Sequence, residues 1–350
     1  MQKSSIQYIL KLSLPIFFAN LSLPIVGIID TALMGNLENL SYLSATAVAA
    51  NLFSMIFWSF GFLRMGTVGM VSQAHGRNNY SEILNIVIRN LIFVLLISII
   101  IILSQQIILK LSLTIFDLSD TTKNLYEQYF KIRIYSALGE LTLYIITGLF
   151  IGLQKTKTSS FAVGFFSILN ILISIVLVTK FDLNIKGVAY GTLSSALITS
   201  IIFIFYTFYY LSKFTKIKIN LEQILNLKKI KNIFNINFNI FIRTILLTFS
   251  FLWFTYLGTQ IGEDYVAANA ILINLVFLSA FILDAYAFST EGIVGYSLGR
   301  KDINLFKNIV KNSFILSSLS GLIISIIFFF TYENVINLMS NIKEIRELSS

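Results

Sequence analysis

The chain has 350 residues, of which 56% are hydrophobic and 12% charged, with a mean hydropathy of +0.81 and a formal net charge of +9. That apolarity excludes a soluble domain of ordinary composition, and the lack of any cysteine excludes disulfides and thiolate metal sites. The positive balance does not point to nucleic acid, because the basic residues gather in short connections between long apolar runs, where they read as membrane topology.

The first run, 8–34, follows a short basic start and lacks a small-residue cleavage pattern, so it reads as a retained helix rather than a signal peptide. Further helices are predicted at 42–75, 84–110, 122–153, 158–180, 186–212, 232–260, 265–298 and 305–331. Each is long enough to cross a hydrocarbon core of about 30 Å. Uninterrupted stretches such as NLIFVLLISIIIIL exclude a barrel, whose strands alternate, and lipid requires backbone groups to be paired within their own segment. The fold class is therefore an all-α integral membrane bundle. The closing TYENVINLMSNIKEIRELSS reads as an outer loop leading into a tenth helix.

One set of connections is basic: Arg77; Lys155 and Lys157; Lys213, Lys216, Lys218, Lys228, Lys229 and Lys231; then Arg300, Lys301, Lys307 and Lys311. The alternate set, GNLENLS, FDLSDTT, TKFDLNIK and GTQIGEDY, is acidic or nearly balanced. The positive-inside rule makes the N-terminus cytoplasmic. The organisation expected is a six-helix lobe over 1–212, a basic linker over 213–231 lying on the inner leaflet, and a partial second lobe over 232–350 with about three helices.

An offset of 223 residues lays SQAHGR over GYSLGR, so that Gly76 meets Gly299 and Arg77 meets Arg300, while Gly35 meets Gly258 and Gly69 meets Gly292. Two related six-helix halves of like orientation, with a substrate path between them, are the natural reading. On it about nine of twelve expected spans are present.

A charge at mid-membrane costs about 2.5–3.5 kcal/mol on insertion scales, so each one needs a partner, a cavity or a function. Six qualify: Asp30, Arg64, Glu140, Arg243, Asp284 and Glu291. Asp30 lies in the outer part of the first helix, where a desolvated carboxylate can exchange protons near neutral pH. Pro24 leaves the Asn20 carbonyl without its helical donor, and Pro15 repeats this one level deeper. A bend that answers to the charge of Asp30 follows. The bland alternative is an Asp30 tied to Thr31 or to a buried arginine. Depth suggests an Arg243–Glu291 pair and an Arg64–Asp284 meeting across the halves, with Asp284 and Glu291 on one face, either holding helices together or gating. Glu140 is expected to face a water-filled vestibule, and His75 to be interfacial. No phosphate loop, zinc-ligand spacing, dinucleotide loop or nucleophile elbow occurs.

Carried by LPIFFANLSLPIVGIIDTALMG, GFLRMGTVGMVSQAHGR, GLFIGLQKTKT and LDAYAFSTEGIVGYSLGR, the chain resembles the multidrug and toxic compound extrusion (MATE) family, in particular its DinF-like branch, over essentially its whole length. The resemblance implies two six-helix lobes in a V around a central cavity, and export of cationic lipophilic compounds in exchange for protons or sodium ions. By position it implies that Asp30, Asn170 and Thr192 line the cation-binding cavity of the first lobe. Where many members have a second aspartate four residues after that asparagine, this chain has Ser174. Losing that carboxylate favours proton coupling, leaving Asp30, Asn170 and Thr192 as a weak sodium site.

The expectation is a monomeric secondary active exporter of organic cations in the inner (plasma) membrane, without cofactor and without enzymatic chemistry. Asp30, Asn170, Thr192 and Ser174 would bind the coupling ion, Pro24 and Asn20 would form a helix hinge, and Arg64, Arg243, Asp284 and Glu291 would set a gate. The rivals are a lipid-linked saccharide flippase of the same superfamily, and a membrane enzyme or scaffold that transports nothing.

Overall fold

A computed structural model describes residues 6–37, 39–116, 118–216, 221–224 and 226–339. The described elements are all helical: α1 (Ile6–Gly35), α2 (Leu40–Ser59), α3 (Phe62–Gly76), α4 (Tyr80–Leu103), α5 (Gln105–Ile115), α6 (Asp120–Arg133), α7 (Ala137–Gly152), α8 (Thr156–Thr179), α9 (Asn184–Ser212), α10 (Leu221–Ile224), α11 (Leu227–Ile261), α12 (Glu263–Gly299) and α13 (Ile303–Met339). Among the described residues, nine segments are long and apolar enough to cross a membrane.

Three of the predicted spans are not single rods. The second is broken between α2 and α3 at Phe60 and Gly61, and the fourth passes from α6 to α7 through a 3-10 turn, Ile134–Ser136. The third stops at Leu103, where Ser104 and the two glutamines after it interrupt the apolar run, and α5 continues separately. At the far end, α13 stays helical to Met339, which replaces the outer loop expected after residue 331. Residues 340–350 lie outside the described residues. The basic connection is shorter than its lysines suggest, because Lys228, Lys229 and Lys231 already belong to α11.

The span containing α6 and α7 is the hub, with 78% of its most apolar window buried. Small residues make this possible. A methyl group built on Gly148 would meet the Arg64 carbonyl at 2.7 Å, and one on Gly139 the Ala196 backbone at 2.6 Å, so α3 and α9 pack almost backbone to backbone against α7. By contrast, the apolar windows of α11 and α13 are wholly unburied within the chain.

Helices α1 and α8 lie side by side and run in the same direction. The Tyr8 hydroxyl donates to Gln154 at 2.8 Å near the start of both, and Ser22 and Ser167 share a hydrogen bond of 2.9 Å further along.

The 223-residue repeat is written in the backbone. The offset carries Leu40 onto Glu263, Gly76 onto Gly299 and Tyr80 onto Ile303, so that α2 begins where α12 begins, α3 ends where α12 ends, and α4 begins where α13 begins. The turns correspond as well. Asn78 and Lys301 both have positive φ, 57° and 59°, and Asn79 and Asp302 each cap the next helix by accepting from the backbone N–H three residues on, at 3.0 and 2.9 Å.

The two copies also touch through equivalent positions. A methyl group on Gly76 would lie 3.0 Å from Gly299 Cα and collide with the Tyr296 carbonyl, one on Gly299 would collide with the Gln73 carbonyl, and one on Gly295 would collide with the hydroxyl of Ser72, its own counterpart. Contact between like positions is the mark of a local two-fold axis. The bundle is therefore closed at the end that carries Arg77 and Arg300.

Replacing Gly299 by valine should wedge this seam and cost about 1–3 kcal/mol, whereas Gly164→Ala, where nothing lies within 4 Å, should be neutral or gain up to about 1 kcal/mol. Unfolding of the detergent-solubilised chain measures both. Equal midpoints for the two variants would mean that the seam is slack.

Candidate functional site

Asp30 is half-buried in α1, and its Oδ1 is shielded from solvent with no hydrogen-bond partner among the described residues. Both of the bland partners are engaged elsewhere. The Thr31 hydroxyl donates to the Gly27 carbonyl of its own helix at 2.7 Å. The nearby arginine is Arg133, and its guanidinium hydrogen-bonds Ser136 and forms an ion pair with Glu140.

Arg133 was not among the six intramembrane charges expected from the sequence, because the polar stretch LYEQYFKIR reads as the outer rim of its span. A usable signal was present: Arg133 and Glu140 are seven residues apart, two turns, on one helical face. The bend at Ile134–Ser136 turns Ser136 into the same group, where its hydroxyl also donates to Glu140 at 2.8 Å. The rings of Phe53 and Phe57 each lie 5.2 Å from the guanidinium carbon, an additional cation–π attraction. Glu140, expected to face a vestibule, is half-buried and held by Arg133 and Ser136. Tyr129 is buried beside Arg133 and lies near Asp30.

A carboxylate oxygen that is buried and unpartnered carries a desolvation cost, which a proton or a small cation removes. Oxygen-bearing groups stand on the neighbouring helices. Asn170, Ser174 and Thr192 are all buried. The Asn170 amide donates to the Thr192 hydroxyl at 3.0 Å, Ser174 donates to the Asn170 carbonyl oxygen at 3.3 Å, and Thr192 donates to the Val188 carbonyl at 3.2 Å. Gly191 permits this trio, since a methyl group there would collide with the Ser174 hydroxyl. With Ser22 level with Ser167, Asp30 is level with Ile175, next to Ser174 in sequence. The trio and Asp30 share a depth on adjacent helices, and no described hydrogen bond joins them. No group of three or more His, Asp or Glu side chains that could hold a metal ion occurs among the described residues.

Pro15 and Pro24 both lie inside α1, which remains helical through them. Pro24 is exposed and Asn20 half-buried.

The second group of charges gathers where α3 meets α12. The Arg64 guanidinium carbon sits 3.4 Å from the centroid of the Phe288 ring. Asp284, Phe288 and Glu291 are spaced i, i+4, i+7 and share one face of α12, so the guanidinium rests on the middle of a row that has a carboxyl at each end. Both carboxyls act on it electrostatically, and neither comes within ion-pair distance among the described residues. Arg243 is exposed on α11 and forms no ion pair with Glu291, unlike the pair expected from depth. His75 packs its ring against Tyr80 and Tyr296, at 6.0 and 5.1 Å, beside the closed seam.

A family model described as MatE matches residues 15–176 and 240–350. The chain is 27% identical over 341 residues to DNA damage-inducible protein F of Escherichia coli strain K12, spanning 97% of this chain and 73% of that protein. It is 22% identical over 342 residues to the multidrug export protein MepA of Staphylococcus saprophyticus, spanning 97% and 75% of the two chains. In fold it is similar to a multidrug resistance MATE family transporter of the MOP superfamily solved in an outward-facing conformation, with a TM-score of 0.88 at 16% identity, covering all of this chain and 80% of the other.

Glu140→Gln should leave Arg133 buried without its counter-charge and cost about 3–5 kcal/mol, whereas the apolar double replacement Arg133→Met with Glu140→Leu should recover most of that loss. The unfolding midpoints of the purified variants decide it. A neutral Glu140→Gln would show that the pair contributes little.

Proposed function

The chain belongs to the MatE family, whose members are membrane transporters and not enzymes, and from that premise we propose that it is a secondary active exporter exchanging cationic lipophilic compounds for protons. The observation that carries this reading is the buried, unpartnered Oδ1 of Asp30, with Thr31 satisfied by its own helix and Arg133 held by Glu140. An acid in that setting is free to change its protonation state. The names of MepA and of the outward-facing MATE transporter supply multidrug export by analogy, and the cationic class of the cargo is the part of the proposal that rests on the acid itself.

In this mechanism a proton enters from the outer side and neutralises Asp30. The neutral acid no longer attracts a cation, so the proton and the drug compete for one charge state of one pocket. The missing hydrogen bonds at Pro15 and Pro24 let α1 change shape at low cost. For inward opening the Gly76–Gly299 seam must part. Arg64 on Phe288, flanked by Asp284 and Glu291, lies across the same α3–α12 contact and would re-pair as it does. The orientation that fits has the N-terminus and the basic end in the cytoplasm, in the plasma membrane, with one chain as the working unit.

Sodium is the weaker coupling ion. Three oxygens of the trio already satisfy one another, and Ser174 contributes no charge where a sodium site gains from a second carboxylate. A flippase for lipid-linked saccharides would need free cationic groups for a pyrophosphate, whereas Arg133 is bound to Glu140 and Arg64 lies on a ring.

Reconstituted into liposomes, the chain should move a fluorescent lipophilic cation against an imposed pH gradient. Asp30→Asn should lower that transport about tenfold or more, the factor that about 1.4 kcal/mol of lost coupling represents. Transport driven equally by pH and sodium gradients would count against proton specificity, and an Asn variant as active as wild type would remove Asp30 from the mechanism.

A further inference from the structure

Helices α8 and α9 enclose a groove of about 390 Å³, lined neither by Asp30 nor by residues of the α3–α12 seam. Its wall on α8 is Lys157, Phe161 and Phe165, spaced i, i+4, i+8 along one face, and its wall on α9 is Ile202, Phe203 and Tyr206. The eight helical rises from Lys157 to Phe165 give it a length of about 12 Å along the helix. Phe203 forms the floor, 4% exposed, while Phe161 stands 65% exposed at the rim. Ring centroids of Phe161, Phe165 and Tyr206 lie 6.1, 6.5 and 6.2 Å from that of Phe203, so the surface is a continuous aromatic trough.

Polarity is confined to one end. Lys157 lies in the first turn of α8, and the exposed Lys155 precedes it. No side chain caps the start of this helix; the Thr158 and Ser159 N–H groups donate to the Lys155 carbonyl, and the positive dipole end points to the same place as the lysines. No acid lines the groove. The trough opens on the surface where acyl chains run, and its basic mouth stands at the end of the bundle that also carries Arg77 and Arg300.

We propose that this groove is a binding site for one anionic diacyl phospholipid, with the phosphate at Lys157 and the start of α8 and an acyl chain along Phe161, Phe165 and Phe203. A basic pocket between membrane helices at their cytoplasmic ends suits that class of ligand. A lipophilic cation, the cargo in the reading above, is disfavoured by the lysines and by the helix dipole. The inference borrows from that reading only the assignment of the basic end to the inner leaflet.

The test is native mass spectrometry of the full chain in detergent, titrated with phosphatidylglycerol and phosphatidylcholine of identical acyl chains. Wild type should retain one phosphatidylglycerol in preference to phosphatidylcholine. Lys157→Gln should lower that preference about fivefold, the contribution of one basic residue near an anionic leaflet, and Lys157→Arg should preserve it. Ile202→Trp, which fills the trough, should weaken both lipids, and water-soluble glycerol phosphate should fail to displace the bound lipid. The site is refuted if wild type takes both lipids equally, if Lys157→Gln keeps the preference, or if glycerol phosphate competes. No gradient or transported compound enters this measurement, so its outcome is separate from that of the antiport test.

Discussion

Inside a membrane-spanning bundle a guanidinium is tolerated when a carboxylate takes it up, and the carboxylate that takes up Arg133 is Glu140, two turns along the same face, rather than Asp30 across the helix boundary. Asp30 is left with a buried Oδ1 that has no donor among the described residues. Had the pairing gone the other way, α1 would carry a neutralised, immobile salt bridge. The 3-10 turn at Ile134–Ser136 adds to this, because Ser136 bonds both members of the pair. The unpartnered oxygen of one acid thus goes with an ion pair at another.

The same division recurs at the scale of the chain. The repeat supplies two copies of a helix, a helix end with Gly-Arg, a residue at positive φ and a capping Asn or Asp, and the copies meet through glycines at equivalent positions. Only the first copy carries the proline-bearing helix and its aspartate: the offset places Trp253 at the position of Asp30 and Leu247 at that of Pro24. The break between α2 and α3 is also confined to the first copy, where Gly61 corresponds to Asp284 within the unbroken α12. A symmetric frame therefore holds an asymmetric site. This suits a transporter in which one half changes shape while the other serves as the surface it closes on.

The spans were legible because lipid imposes a length and a polarity that few residues escape, and their limits fall within several residues of those read from the apolar runs. Asp30, Asn170, Ser174 and Thr192 were legible as residues, through the oddity of an acid beside proline and through family resemblance. Their relations were not. That Ser174 closes on Asn170 depends on Gly191 allowing α9 against α8, a contact between residues distant in the chain. Depth along a helix likewise says nothing of the direction a side chain faces: Arg243 is exposed, and among the described residues it is not within ion-pair distance of Glu291.

Sequence alone determined that this chain crosses a membrane repeatedly, where its basic connections fall, that it repeats itself after 223 residues, and that charges such as Asp30 and Arg64 stand within its apolar runs. These properties follow from composition and spacing, which act on each segment separately. Tertiary structure alone decided which of those charges pair, since an ion pair needs two side chains within about 4 Å and neighbours at that range are set by helix packing. It rested Arg64 of α3 on Phe288 of α12 and, among the described residues, left the buried Oδ1 of Asp30 without a partner.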